Sequence, residues 1–249
     1  VLSFVSSDLV WQDRRMTSAP RTARAVARAE LTRAILDSAG AQLAEVGPAG
    51  LSVRAVARDL QMVSSAVYRY FPSRDALLTA LLIEAYDDLG AAVERAAAAA
   101  PDLPARWRAI CHALRDWARR EPHRYALLYG SPVPGYVAPT DTVPSATRIT
   151  FALLRLVADA QAAGGRPAGA LPLTAAESAG LEPLRGFTTV PLSDDRLVRT
   201  LLAWATLFGH LSLELFGHMY GGVTDEDAHF AQVVDQLAAD LGLASSPDH

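Results

Sequence analysis

The sequence predicts an all-α protein: a small three-helix domain with a helix-turn-helix at the N-terminal end, followed by a larger helical bundle. Three observations predict it. Apolar residues recur at helical spacing along most of the chain, and no segment sustains a polar–apolar alternation with β-branched residues. Two short helices joined by a three-residue turn fall within Ser52–Phe71. Charge is uneven as well. Residues 1–75 carry 10 Arg against 7 acids, whereas residues 76–249 carry 13 Arg against 20 acids. A basic head on an acidic body suits a molecule that brings one end to phosphate.

The elements follow in order. Leu31, Ile35, Ala39 and Leu43 recur every fourth residue and predict a first helix over Arg28–Val46, stopped by Gly47-Pro48. Ser52 caps a short helix ending near Leu60, and Gln61-Met62-Val63 forms the turn. A second short helix runs from Ser64 to Phe71 and stops at Pro72. Ser73 caps a long helix reaching about Ala99, with Asp75 in its first turn, where the helix dipole favours an acid. Further helices are expected over Pro104–Arg120, Pro122–Gly130, Pro144–Ala163, Asp194–Tyr220 and Asp225–Leu241. The Pro/Gly-rich stretches Ser131–Val143 and Gly164–Leu192 are expected to be loops.

Composition excludes several classes. Cys111 is the lone cysteine, so no intrachain disulfide forms and a reducing cytoplasm is the expected compartment. No apolar run approaches the roughly 20 residues that cross a bilayer, so no membrane partner is expected. Val1–Val10 is apolar, but Arg14 and Arg15 follow it rather than precede it, and Asp8 interrupts it. Val1–Arg15 therefore reads as an extension, with Met16 a candidate start of the compact part. Lysine and asparagine are absent and all 23 basic residues are arginine, a coding bias of a GC-rich genome rather than a functional signal. There is no G-x-S-x-G elbow, no H-E-x-x-H and no phosphate-binding glycine loop, so an enzyme is not expected.

The informative block is Leu51–Leu78, LSVRAVARDLQMVSSAVYRYFPSRDALL. Two short helices with so tight a turn cross steeply, which lets the second protrude into a major groove. Ala57 is the small residue at their contact; Val56, Leu60, Met62, Val67 and Phe71 face inward. Ser64, Ser65, Ala66, Tyr68, Arg69 and Tyr70 are left to form a polar, aromatic and basic edge. Ser52 opens a helix, where its hydroxyl and the free N–H groups suit a phosphate. Arg21, Arg24 and Arg28 form either an arm toward the neighbouring minor groove or a solvated tail.

This segment resembles the DNA-binding domain of the TetR family: an aromatic pair like Tyr68-x-Tyr70-Phe71, a basic residue like Arg74, then Ala76-Leu77-Leu78. The resemblance spans about Arg28–Ala85. It implies that Ser52, Tyr68 and Arg74 contact phosphate and that Arg54, Ser64, Ser65, Arg69 and Tyr70 face the groove. Three residues depart from the pattern. The turn has Gln61, Met62 and Val63 where the family has Gly, Val and Ser, which removes a glycine from the turn and the usual cap from the second helix unless Ser64 replaces it. The resemblance further implies a flexible, partly basic extension over 1–27, a DNA-binding domain over 28–88 and a ligand-binding and dimerisation domain over 89–249. A palindromic double-stranded DNA operator, a small-molecule effector and a second copy of the chain are the partners it implies, and no cofactor.

The body carries no motif of that strength. Leu197, Leu201, Trp204, Phe208, Leu211 and Leu215 make an apolar stripe, and Ala205, Gly209 and Ser212 a flanking row of small residues. With the last helix this is similar to the family's four-helix dimer interface, for which Leu197, Leu201, Ala205, Gly209 and Ser212 are the expected contacts; the alternative is an ordinary core helix. Trp107, Cys111, Trp117, Tyr125, Trp204 and Phe208, with His112 nearby, are the expected pocket residues, though each singly is more often core. His210, Glu214 and His218 repeat at steps of four, but on one straight helix they span about 12 Å, too far to meet one metal ion. A helical scaffold without DNA function and a small helical enzyme are the rival readings.

Overall fold

The computed structural model describes residues 22–188 and 191–243. Every regular element among them is helical. Val1–Arg15, Met16 and Arg21 lie outside the described residues.

Helix α1 (Ala23–Gly50) starts five residues earlier than expected, because the Thr22 hydroxyl accepts from the Ala25 N–H and caps it there. Arg24 and Arg28 are therefore on a helix rather than on an extended arm. At Gly47, φ is 68° and ψ 174°, so the helix kinks there and Pro48–Gly50 form one further turn. Helices α2 (Val53–Asp59) and α3 (Ser64–Tyr68) follow, then α4 (Arg74–Ala99), which is capped by Ser73 as the sequence implied.

The body contains α5 (Leu103–Arg120), α6 (Pro122–Tyr129), a short pair α7 (Val143–Ala146) and α8 (Arg148–Ala162), α9 (Ala175–Gly180), α10 (Glu182–Phe187), α11 (Asp194–Leu215) and α12 (Glu226–Leu241). Three expectations need correction. The helix expected over Pro144–Ala163 is interrupted at Thr147. The stretch Gly164–Leu192 is not all loop: α9 opens with a capping box between Thr174 and Glu177, and α10 has Pro183 in its first turn. Finally, α11 ends at Leu215 rather than Tyr220. Gly217 takes a left-handed φ of 77°, so the His218 N–H reaches the Leu213 carbonyl and the Gly217 N–H the Glu214 carbonyl, which closes the helix.

Two apolar clusters divide the molecule, and α4 belongs to both. Leu77, Leu78, Leu81 and Leu82 pack with Ile35, Val56, Val67 and Phe71 to form the head. One turn on, Ala85, Leu89 and Val93 join the body core of α5, α6, α8, α11 and α12. Leu127 of α6 is buried in the head cluster, so α6 also bridges the two. None of the described helices is long and apolar enough to cross a membrane.

Candidate nucleic-acid interface

The head presents the helix-turn-helix by three local devices. The Ser52 hydroxyl accepts from the Ala55 N–H at 3.4 Å, while the Ser52 N–H donates to the Gln42 side chain at 3.3 Å and ties α2 to α1. The turn closes in the manner of a glycine-terminated helix without a glycine. The Met62 N–H reaches the Ala57 carbonyl at 2.7 Å, the Gln61 N–H reaches the Arg58 carbonyl at 3.1 Å, and Gln61 accepts a φ of 55°. The turn geometry thus survives the loss of the glycine, at the cost of a side chain in left-handed backbone. Ser64 does not take over the missing cap: Val63 occupies that position with no side-chain hydrogen bond.

Packing decides which residues face outward. Val67 is wholly buried, with Val53, Val56 and Ala57 buried on α2. Opposite them, Arg54, Ser65, Tyr68 and Arg69 are exposed and Ser64 and Ser52 half-buried. Arg58, one turn after Arg54, is also exposed; its i+4 spacing on α2 was the signal for it.

Two expected groove or phosphate residues are otherwise engaged. Tyr70 is half-buried with the Arg28 guanidinium 4.9 Å above its ring, which ties the end of the recognition element to α1. Arg74 donates to the carbonyls of Leu51 (3.0 Å), Pro48 (2.7 Å) and Ala49 (3.2 Å). It staples the segment entering α2 to the start of α4.

In the body, the expected pocket residues form packed core rather than the wall of one cavity. Trp107, Cys111, Trp117 and Tyr125 are buried, with the Trp107 indole N–H on the Val234 carbonyl, the Trp117 indole N–H on Asp88 and the Tyr125 hydroxyl on the Phe208 carbonyl. Burial pushes the Tyr125 hydroxyl up to about 12, against the opposing Ser212 hydrogen bond, and pushes the Cys111 thiol well up, so neither ionises near neutral pH. Trp204 lines a cavity and is in contact with Phe208 at 4.9 Å between ring centroids. The sequence reading missed Tyr129, which stacks on Phe208 at 4.2 Å and on Tyr125 at 5.2 Å.

The expected interface residues divide too. Leu197 is wholly buried in its own chain, in one cluster with Leu154 and Leu181, and Ser212 is half-buried and bonded to Tyr125. Leu197 is not at the surface, and Ser212 only partly. Leu201, Ala205 and Gly209 are exposed, and with Leu202, Leu213 and Phe216 they give α11 an uncovered apolar face. Of His210, Glu214 and His218, the first two meet at 3.5 Å and the third is apart from them. Glu214 is held by Arg115 and Arg119, and His218 lies beyond the end of α11. Among the described residues no group of His, Cys, Asp and Glu is placed to hold a metal ion.

Known proteins resemble both regions. Residues 35–81 match the family model for bacterial regulatory proteins of the tetR family, and residues 107–237, just over half of the chain, match the Tetracyclin repressor-like C-terminal domain. The HTH-type transcriptional regulator Rv1816 of Mycobacterium tuberculosis is 45% identical over 229 residues, covering 86% of this chain and 94% of that protein. The crystal structure of the regulatory protein SCO4313 superposes with a TM-score of 0.74 at 33% identity, covering 88% of this chain and 98% of that one. FadR of Bacillus subtilis, solved with stearoyl-CoA, shares the fold alone, at a TM-score of 0.50 and 14% identity over 84% of this chain and 98% of its own. The chain belongs to the TetR family of bacterial transcriptional regulators, with a DNA-binding helix-turn-helix head on a helical C-terminal domain, and is a regulator rather than an enzyme.

Proposed function

We propose that two copies of this chain pair through α11 and α12, hold a palindromic operator with one α3 in each of two successive major grooves, and release it when a small molecule binds the body. The observation that carries the DNA half is the exposed edge formed by Arg54, Ser65, Tyr68 and Arg69 beside the half-buried Ser52 and Ser64, with no acid among them. On this reading Ser52 and Tyr68 meet phosphate, while Ser64, Ser65 and Arg69 read bases, since an arginine pairs with two guanine acceptors. Tyr70 and Arg74 act from behind, positioning α3 through Arg28 and through the carbonyls of residues 48, 49 and 51.

Pairing through α11 is supported by its exposed Leu202 and Leu213, each about half exposed, on either side of Gly209, where no side chain stands between two approaching helices. Leu201 and Ala205 extend that face. The head is then joined to the sensing body through α4. An effector that prefers the non-binding arrangement by about 1.4 kcal/mol lowers operator affinity tenfold. Repression is the expected sense.

The test is a footprint of the full-length protein on DNA upstream of its own gene, repeated across salt. A protected palindrome whose affinity falls steeply with salt supports the proposal, because bound arginines release counterions from phosphate. No protection on any upstream duplex overturns it. Sedimentation of Gly209→Arg separates the dimer part: this variant should run as a monomer and lose the operator.

A further inference from the structure

The geometry points to a ligand site in the body beside the exposed face of α11, between α8, α10 and α11, that takes a compact, uncharged, mostly apolar molecule, with α10 as its cover. The inference rests on the effector reading above and locates the site. A cavity of about 200 Å³ opens there, lined by Leu153 and Leu154 of α8, Leu184 of α10, and Leu201 and Trp204 of α11. Among the described residues Thr150 and Thr200 bring its polar side chains, and the Thr200 hydroxyl already donates to the Arg196 carbonyl at 2.7 Å.

The chemistry follows from what is absent from the wall. Among the described residues no charged side chain lines it. Charges on α10 and α11 are engaged: Arg185 by Asp194 at 2.7 Å, Glu182 at 2.9 Å and the Ser178 carbonyl. Arg196 is held by the carbonyls of Leu241 and Gly165, and Arg199 by Asp195 and the Asp240 carbonyl. An ionised ligand would lose its water and meet no counter-charge. A dry apolar cavity of roughly 150 Å³ accepts benzene, so this space suits one ring with a small substituent and is too small for a helix.

The cover has its own latch. Leu184 reaches the cavity from α10, and the next residue, Arg185, bonds Asp194 at the first turn of α11. Opening α10 breaks that pair and exposes the cavity. Trp204 then relays occupancy inward, since it touches Phe208, which stacks on Tyr129, which meets Tyr86 of α4 edge-on at 6.2 Å. Helix α4 carries the head.

The experiment uses the full-length chain with its four tryptophans replaced by 5-fluorotryptophan, the resonances assigned by single Trp→Phe variants. Toluene is titrated as the probe and benzoate as its charged counterpart. The Trp204 resonance should move saturably with toluene while those of Trp107 and Trp117 stay, and benzoate should bind at least about a hundredfold more weakly for want of a partner charge. Leu184→Phe should weaken toluene about tenfold by filling the cavity. A Trp204 resonance indifferent to toluene overturns the site. So does parallel movement of Trp107 and Trp117, equal binding of benzoate, or a Trp204 shift seen only on dilution, which would mean a side chain of the second copy fills the cavity. Operator affinity is measured on the same samples: a silent Trp204 with intact operator binding sinks this site alone, whereas lost operator binding with a toluene-responsive Trp204 sinks the regulator mechanism and leaves the site standing.

Discussion

The head and the body use their polar groups in opposite senses. In the head, short helices bury small apolar faces and push Arg54, Arg58, Ser65 and Arg69 into solvent, where they stay free for a partner. In the body, charged groups turn inward and pair with one another, although one Arg115 nitrogen and the His210 Nε2 are left without a hydrogen bond. Arg115 and Glu214, each about 5% exposed or less, pair at 2.9 Å; Arg119 adds a second clasp on Glu214 at 2.6 Å, and Arg115 also reaches Asp227 at 2.7 Å and lies over Phe230. The comparison teaches where each region is vulnerable. A surface change in the head costs function and little stability, whereas removing one inward partner in the body strands a charge and costs the fold.

The largest effect should come from stranding that charge. Glu214→Ala leaves Arg115 buried without its main partner and should destabilise the protein by about 3–5 kcal/mol in chemical denaturation. A value near zero would mean that Arg119, Asp227 and water compensate, and the contrast between the regions would fail there. Next, Arg69→Ala in the head should cost about 1–3 kcal/mol of operator affinity and relax base preference, with Tyr68→Ala weakening binding to all sequences alike. Both should melt within about 1 °C of the parent, as exposed substitutions do; a melting shift of many degrees would show that the edge is structural. Smaller again, Gln61→Gly relieves the left-handed φ and should raise stability by about 0.5–1 kcal/mol, read as a higher denaturation midpoint. A loss instead would mean that the Gln61 side chain makes a contact worth more than the strain.

The smallest effect is a pH slope. Burial holds the His210 imidazole below its usual range, with His229 and Arg115 acting in the same sense and Glu214, at 3.5 Å, opposing. The unfolded chain then binds the proton more readily than the native one. Stability contributed by neutral His210 is therefore present above pH ~6.5 and lost as pH falls below that value. His210→Gln should flatten the fall in melting temperature over that interval; an unchanged slope would assign it to the carboxylates.

Much of the head was legible because its signals are local. Ser52, the spacing of Val56, Ala57 and Val67, and Ser73 each act within a few residues, and the structure keeps each in the role its neighbours imply. The left-handed Gln61 was not legible, since a turn bond network between Met62 and Ala57 overrides the residue's own preference. In the body the periodicity gave the helices but not their facing. Of the stripe, Leu197, Phe208 and Leu211 point into their own chain while Leu201 is exposed, beside Leu202 and Leu213 from outside the stripe. Gly217 was a readable stop inside the expected helix, obscured by the apolar pattern that runs past it.

By itself the sequence determined the all-α class, the order of the long helices and the helix-turn-helix with its outward basic edge, because caps, breakers and helical periodicity act over one or two turns. Only the tertiary structure decided that Arg74 ties the segment entering α2 to α4 and Tyr70 the end of the recognition element to α1, that Trp107, Trp117 and Tyr125 are core, that α9 and α10 form within Gly164–Leu192 with Leu184 against a small apolar cavity, and which side of α11 is left bare. Those outcomes depend on which helix meets which across tens of residues. An apolar residue is equally at home against its own chain, a ligand or a second copy until that packing is known.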